Sequence, residues 1–372
     1  MWSLIDYILQ LTPYSELSGR LHPAASVVVT FVLLVVGYII GSSITNKLFG
    51  KDNFPVKDKH VFIAGGSQGL GKALAILLAK KGAHVTIVAR NKQALDAAID
   101  EIQAEKLYPH QTITSVAADV TDHSQVVRAF DEAAAKHDGK TPDYLFCCTG
   151  NDYRPNLRHL MFVVGAARPR LFLEHSIQEF EDAMRLNYLG SLSVAHEGVK
   201  RMVHHGVKGK VVFVSSTLGF VGFIGYTEYA PSKCALRGLS ESLRSELLLY
   251  GIDVHCFFPG AIRSPGFETE NKTKPEITKR LEGEDEASPP DVIAMALYKG
   301  LRKGQFFITS DLLTDILRAG THGITPTNNV IVDVLFDCIS WIIAFPYIWY
   351  FDWQVRSAAD KHIIKTADDN IH

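Results

Sequence analysis

The stretch Gly65-Gly66-Ser67-Gln68-Gly69-Leu70-Gly71 constrains this chain more than any other feature. An apolar run, 60–64, precedes it, and Leu70, Ala73, Leu74, Leu77 and Leu78 follow at helical spacing over 69–81. The pattern reads as a buried strand that turns through glycines straight into an amphipathic helix. Glycine permits the tight turn and lets a phosphate approach backbone N–H groups, where the helix N-terminus adds partial positive charge. Gly65, Ser67, Gln68, Gly69 and Gly71 are therefore candidate dinucleotide-binding residues.

The same alternation continues down the chain. Strands are expected at 84–89, 112–117, 143–147, 210–214, 252–258 and 305–309. Helices are expected at 92–106, 122–137, 176–205, 228–250 and 289–303, the last with Ser288 as N-cap. Repeated strand–helix–strand units predict an α/β fold, a Rossmann-like doubly wound parallel sheet with helices on both faces, over residues 59–310. Two segments break the rhythm. Residues 151–175 form a long insertion with Arg154, Arg158, Arg168 and Arg170 and an apolar run at 160–164. The other is the tail, 311–372, whose uncharged run 338–351 (CISWIIAFPYIWYF) has 14 residues. Pro346 is expected to interrupt a helix there, and a straight run of that length is too short to span a bilayer. Trp341, Tyr347, Trp349, Tyr350 and Trp353 suit a membrane interface. An interfacial or re-entrant membrane-associated segment is favoured over a second span or a buried amphipathic helix.

Residues 24–44 (AASVVVTFVLLVVGYIIGSSI) are 21 residues without a charge. As a helix they would extend about 32 Å, enough for a bilayer core of roughly 30 Å, so a transmembrane helix is expected. Its length and its start well inside the chain disfavour a cleaved signal peptide. Residues 1–23 carry only Arg20, whereas 45–60 carry Lys47, Lys51, Lys57 and Lys59. Positive charge stays on the cytosolic side, which makes 1–23 lumenal and puts the chain beyond the linker 45–58 in the cytosol. Cys147, Cys148, Cys234, Cys256 and Cys338 form no CxxC pair and suit a reducing compartment. The sequon Asn271-Lys272-Thr273 is then expected to stay unglycosylated. A net charge of −2 suggests no nucleic-acid partner. The histidines include no HExxH and no Cys/His cluster, so no metal site is expected.

The end of the second strand selects the nucleotide. A carboxylate there would hold the ribose hydroxyls of NAD, but the sequence reads Val88-Ala89-Arg90. Arg90 can pair with a 2′-phosphate that a carboxylate would repel, with Ser67 and Lys92 in support, and the expected cofactor is NADPH. Asp119, after the third strand, reads from its residue type alone as a helix cap.

Tyr229-Ala230-Pro231-Ser232-Lys233 is a Y-x-x-x-K motif at a helix start. One helical turn puts both side chains on one face. A phenol with a pKa near 10 holds its proton tightly, and a nearby ammonium favours the phenolate. Tyr229 can then protonate a ketone oxygen as hydride reaches the carbon. Ser216 ends an apolar strand 13 residues before Tyr229. Strand alternation lets only one of Ser215 and Ser216 face the cleft, and Ser216 is chosen.

From about Lys59 to Ile308 the chain resembles the short-chain dehydrogenase/reductase family. The resemblance rests on the G-x-x-x-G-x-G turn, Phe213-Val214-Ser215-Ser216, the Y-x-x-x-K pair and its separation from Ser216, Asn187-Tyr188-Leu189-Gly190, and Pro259-Gly260. It implies that Ser216 holds the substrate oxygen and Asn187 a water linking Lys233 to solvent. It implies also that Lys233 holds the ribose and Asp119 contacts the adenine edge, and that Pro259-Gly260 lies beside the nicotinamide. The stretch Ser264-Pro265-Gly266-Phe267-Glu268-Thr269-Glu270-Asn271-Lys272-Thr273-Lys274-Pro275 resembles the sphingolipid-synthesising branch. That branch implies a long-chain lipid ketone as substrate, reduction of 3-ketosphinganine to sphinganine, and residence in the endoplasmic reticulum membrane. Ala64 and Ala94 depart from the family's usual Thr and Lys, and Cys147-Cys148-Thr149-Gly150 from its N-N-A-G, which loses an amide that ties central strands. The insertion reads equally as a lipid-guiding lid, a tolerated surface loop or a gene-model artefact. A steroid, a retinoid or a 3-ketoacyl thioester as substrate, an idle NADPH-binding scaffold, and a homo-oligomer all stay open.

Overall fold

The computed structural model describes residues 52–148, 152–154, 162–164, 167–283 and 287–358. The lumenal segment, the expected transmembrane run 24–44 and the linker up to Lys51 lie outside them. The chain divides into two compact units, Asp52–Asn328 with Asp333–His372, and Met1–Lys51 with Asn329–Val332. Of the second unit only Asn329–Val332, at the start of a helix, are described.

The strands are β1 (His60–Ala64), β2 (His84–Ala89), β3 (Ile113–Ala117), β4 (Tyr144–Cys147), β5 (Asp152–Arg154), β6 (Phe162–Val164), β7 (Lys210–Val214), β8 (Asp253–Phe258) and β9 (Phe307–Thr309). The helices are α1 (Gly69–Ala79), α2 (Lys92–Ala104), α3 (His123–Lys136), α4 (Ile177–Ala183), α5 (Gly190–His204), α6 (Ala230–Leu247), α7 (Pro265–Thr273), α8 (Glu276–Glu282), α9 (Pro290–Arg302), α10 (Leu312–Gly320) and α11 (Val330–Ser357).

Among the described residues, seven strands form one sheet in the order β3-β2-β1-β4-β7-β8-β9, every neighbouring pair parallel. Alternation along each strand builds two cores. Val61 and Ile63 of β1 pack with α1, α2 and α9, while Phe62 and Ala64 pack with α3, α5 and α6. The strand order reverses between β1 and β4, and in open sheets of this kind the crevice beyond the carboxyl ends of the strands at that point takes the ligand.

The helix expected over 176–205 is present as one helical run, α4 and α5 joined by a π-turn at Met184–Leu189. Three expectations need correction. Ser288 does not cap α9. Its backbone pairs with Ile262 as an isolated bridge, and Pro289 precedes Pro290 at the helix start, where a missing N–H costs nothing. Asp119 does not cap α3 either; Asp122 does, accepting from Ser124 N–H at 3.0 Å. Pro346 does not interrupt the tail, since α11 is continuous over 28 residues. Proline removes one hydrogen bond, a local cost of about 3 kcal/mol. The turns on either side of it carry the helix through.

The insertion contains an antiparallel ribbon, Asp152↔Val164, Tyr153↔Val163 and Arg154↔Phe162. In the tail, Arg318 on α10 holds Asp333 near the start of α11 through two hydrogen bonds, 2.6 and 3.0 Å, both side chains buried. Toward the other end Phe351 meets the Phe223 ring at 5.3 Å, and the Gln354 carbonyl accepts from Arg280 at 2.9 Å. Asp333 and Gln354 lie about 32 Å apart along the helix axis. Fixed at both places to the same unit, α11 lies along it. Trp341, Ile342, Phe345, Ile348 and Trp349 are exposed between these ties.

Candidate active site

The sheet brings the glycine turn, Arg90, Cys148, Ser215-Ser216 and Pro259-Gly260 to its carboxyl edge, because each directly follows a parallel strand. Gly65 and Gly69 take positive φ, +86° and +55°, a backbone open to glycine and costly for other residues. A Cβ on Gly71 would collide with the Gly65 carbonyl, and one on Gly66 with the Ile87 side chain. A Cβ on Gly69 would meet nothing nearer than Ser264 Cβ at 3.7 Å, so the turn is tight behind and open toward the cleft. Helix α1 starts there with no side-chain cap from Gln68. Its first N–H groups lack intrahelical partners and suit a pyrophosphate. Ser67 is buried beside the turn. Arg90 and Asp119 lie together, NH1 to Oδ2 4.0 Å, at the ends of β2 and β3. Asp119 accepts from Thr121 N–H and hydroxyl at 3.0 and 2.7 Å. Asn91 caps α2 through Ala94 N–H at 3.1 Å, so Ala94 meets the cap with its backbone.

Tyr229 stands at the N-cap of α6, and Pro231 in its first turn fixes the start. Lys233, one turn on, is buried with its ammonium 5.4 Å from the Tyr229 ring centre, donating to the Val214 carbonyl at 3.2 Å. Burial brings the Lys233 amine down to about 8. The Tyr229 phenol is held well above its ordinary value, first by burial and then by the charge of Glu270, with a hydrogen bond from Ser216 pulling the other way. In this arrangement burial outweighs any effect of the ammonium, and the phenol keeps its proton. The two serines divide as alternation requires. Ser215 Oγ donates to the Lys233 carbonyl at 2.9 Å, behind the site, and Ser216 Oγ meets Tyr229 and accepts from Leu218 N–H at 3.3 Å.

Asn187 lies in the π-turn, a wide turn found often at functional sites. Its Nδ2 donates to Ser232 Oγ at 3.0 Å, while its Oδ1 is buried without a hydrogen-bond partner among the described residues. Gly260 N–H donates to Ser310 Oγ at 2.9 Å and Thr217 Oγ1 to the Pro259 carbonyl at 3.2 Å, which fixes Pro259-Gly260 beside Ser216. Cys148 follows β4, and its N–H donates to the Ala64 carbonyl at 2.9 Å. The backbone thus ties β1 to β4 at the place where the usual asparagine is missing.

The sequence did not single out the residues that flank Tyr229. Glu228 is buried, its carboxyl pushed up to about 7 by that burial, and it accepts from Arg168 N–H at 2.6 Å. Arg170 N–H donates to the Gly225 carbonyl at 3.0 Å, and Arg168 and Arg170 both pair with Glu179. The chain leaving the insertion is thereby clamped to the turn before Tyr229. On another side Tyr226 Oη contacts Glu270 and Glu282, with Lys274 beside them. Four-residue spacing of Glu270 and Lys274 was the one signal available in the sequence.

Residues 59–275 match the family model for the short chain dehydrogenase, and the chain belongs to the short-chain dehydrogenase family. It is an oxidoreductase of the kind that takes a nicotinamide cofactor. A 3-ketodihydrosphingosine reductase of Cryptococcus neoformans is 42% identical over 315 residues, 84% of this chain and 89% of that protein. Those of Neurospora crassa (32%, 90% and 89%) and Dictyostelium discoideum (32%, 82% and 90%) are also similar. Among solved structures, levodione reductase aligns with a TM-score of 0.57 at 24% identity, covering 66% of this chain and 91% of its own. A short-chain dehydrogenase/reductase of Burkholderia phymatum in complex with NAD aligns with a TM-score of 0.58 at 18% identity, covering 74% and 98%. At these identities the two structures bear on the fold.

Proposed function

We propose that this protein reduces the 3-keto group of 3-ketosphinganine to sphinganine with NADPH, from the cytosolic face of the endoplasmic reticulum membrane. The observation that carries the reading is the meeting of Ser216, Tyr229 and Lys233 at the carboxyl edge of the sheet. The activity for which relatives up to 42% identical are named supports the substrate.

The residues present fit a nicotinamide dinucleotide. The turn at Gly65–Gly71 leaves no room for a Cβ at Gly66 or Gly71 and opens a run of N–H groups for the pyrophosphate, with Ser67 and Gln68 beside it. Arg90 supplies charge for a 2′-phosphate, which favours NADPH over NADH. Asp119 stands by for the adenine, and Lys233 for the ribose. The bound cofactor supplies a hydride to the carbonyl carbon. Ser216 donates to the carbonyl oxygen and steadies it. Tyr229 holds its proton until negative charge grows on that oxygen, then donates it. Lys233 stabilises the phenolate left behind. Asn187 Oδ1, buried with no partner among the described residues, is suited to a water that returns the proton from solvent.

In this reading residues 59–310 are the catalytic domain, 24–44 the anchor and 311–372 a membrane-associated tail. Helix α11 supports an in-plane placement. A spanning helix would put its far end some 30 Å from the catalytic domain, whereas α11 is tied to that unit at Asp333 and again at Phe351 and Gln354. The aromatic run exposed between those ties suits the bilayer interface next to α8, whose Arg280 makes one of them. A long alkyl chain partitions into the bilayer, so the helix sits where substrate concentrates.

The test is purified full-length protein in lipid nanodiscs with 3-ketosphinganine and NADPH or NADH in parallel. Sphinganine formed faster with NADPH is expected. No sphinganine, or a preference for NADH, contradicts the reading.

A further inference from the structure

Three residues before Tyr229, a cluster of charged groups is short of one cation. Tyr226 is 3% exposed and its ring centre lies 6.3 Å from that of Tyr229. Its hydroxyl has one proton to give, yet lies 2.6 Å from Glu270 Oε1 and 2.7 Å from Glu282 Oε1. Lys274 Nζ meets Glu282 at 2.5 Å and stands 3.6 Å from Glu270. The lysine thus serves Glu282 first. Two carboxylates share one ammonium and one phenol proton, and Glu270 is the less satisfied of the two. Glu228, the next acid toward Tyr229, already has Arg168 N–H. A poorly neutralised carboxylate in a partly desolvated place is costly unless a partner arrives. The elements concerned, α7 and α8, follow Pro259-Gly260 in the chain, and through Glu270 and Glu282 both reach Tyr226, beside Tyr229.

From this convergence of Glu270, Tyr226 and Glu282 beside Tyr229 we infer that Glu270 recognises a cationic amine next to the reacting carbonyl, which makes the site selective for α-amino ketones over neutral ketones. The inference rests on the proposed reduction of 3-ketosphinganine, whose amine sits on the carbon adjoining the ketone. An incoming ammonium donates to Glu270, leaving the Tyr226 proton to Glu282. Neutral ketones, such as steroids, retinoids and 3-ketoacyl thioesters, offer no such charge and leave the carboxylate unpaired. A site built to bind a charged donor rejects ligands that lack it.

The experiment compares kcat/KM of the full-length protein on 3-ketosphinganine, on its desamino analogue 1-hydroxyoctadecan-3-one and on N-acetyl-3-ketosphinganine. The wild-type protein is expected to prefer the free amine over both by about tenfold to a hundredfold, the range for a hydrogen bond to a charged group. In Glu270→Gln that ratio is expected to collapse, mainly through KM for the amine. A purely structural role lowers all three together and keeps the ratio, which would overturn the inference. A wild-type protein that turns over the amine and its desamino analogue equally also overturns it, without any variant, and leaves the proposed function standing. Failure to reduce 3-ketosphinganine at all overturns both.

Discussion

The Lys233 ammonium lies 5.4 Å from the centre of the Tyr229 ring while donating to the Val214 carbonyl at 3.2 Å. The lysine is held by the strand that ends beside the site, so its charge is fixed in place before substrate binds. Pre-oriented charge of this kind needs no reorganisation during reaction. Lys233→Met is expected to lower kcat by about a hundredfold or more, the range for loss of tuned acid catalysis. Stopped-flow turnover of 3-ketosphinganine, with NADPH fluorescence to follow cofactor affinity, checks it. A drop in affinity alone, with kcat kept, would speak against the lysine's effect on Tyr229.

Arg90 stands 4.0 Å from Asp119 where the ends of β2 and β3 meet. If its role is the 2′-phosphate, Arg90→Ala weakens NADPH by about tenfold to a hundredfold and leaves NADH nearly as before. Titration of each nucleotide by tryptophan quenching measures the two affinities. An equal loss for both would assign Arg90 to a part that the two cofactors share.

The fold was largely legible. β1, β2 and β7 fall on the expected residues, because each is a short apolar run bounded by turn residues. The glycine turn marked where the first strand hands over to a helix, and alternation separated Ser215 from Ser216. What escaped has no local signature. The π-turn at Met184–Leu189 lies against α6, where Asn187 Nδ2 donates to Ser232 Oγ at 3.0 Å from 45 positions away. Helix α11 passes through Pro346 because a long helix tolerates one missing bond. The pairing of Arg168 with Glu228, and of Tyr226 with Glu270 and Glu282, joins residues 44 to 60 positions apart, which periodicity cannot reveal.

The tail is held by a buried ion pair. Arg318 is 1% exposed and Asp333 2%, and Asp333 also accepts from Asn328 N–H at 2.9 Å. Asp333→Ala removes two of the acceptors of the buried Arg318 and leaves it Asp315, on its Nε at 2.6 Å, so the variant is expected to destabilise the protein by about 1–3 kcal/mol. Thermal unfolding with cofactor bound reads this as a lowered Tm. Replacing both residues with apolar ones of similar size should recover most of the loss, and a double variant no better than the single would contradict the pairing.

Stability should fall on mild acidification. Burial lowers His137 and His255 from the ordinary value of about 6.5 to about 4, and lowers His60, which stacks on His137 with ring centres 3.7 Å apart. Below pH about 6.5 the unfolded chain takes up protons that these folded imidazoles refuse, so stability drops from there toward pH 4. Above that window these groups contribute no slope. Urea midpoints from pH 8 to pH 4 measure it, and His137→Phe should flatten part of the decline. A midpoint that stays level across that range would contradict the burial of these imidazoles.

The most direct measurement is a single turnover of 3-ketosphinganine by Tyr229→Phe, with NADPH bound beforehand and product followed by mass spectrometry. The phenyl ring keeps the packing and loses the proton. The expected result is NADPH affinity within about threefold of wild type and a chemical step slowed by about 10³-fold or more. Sphinganine formed at the wild-type rate would show that the proton comes from another group.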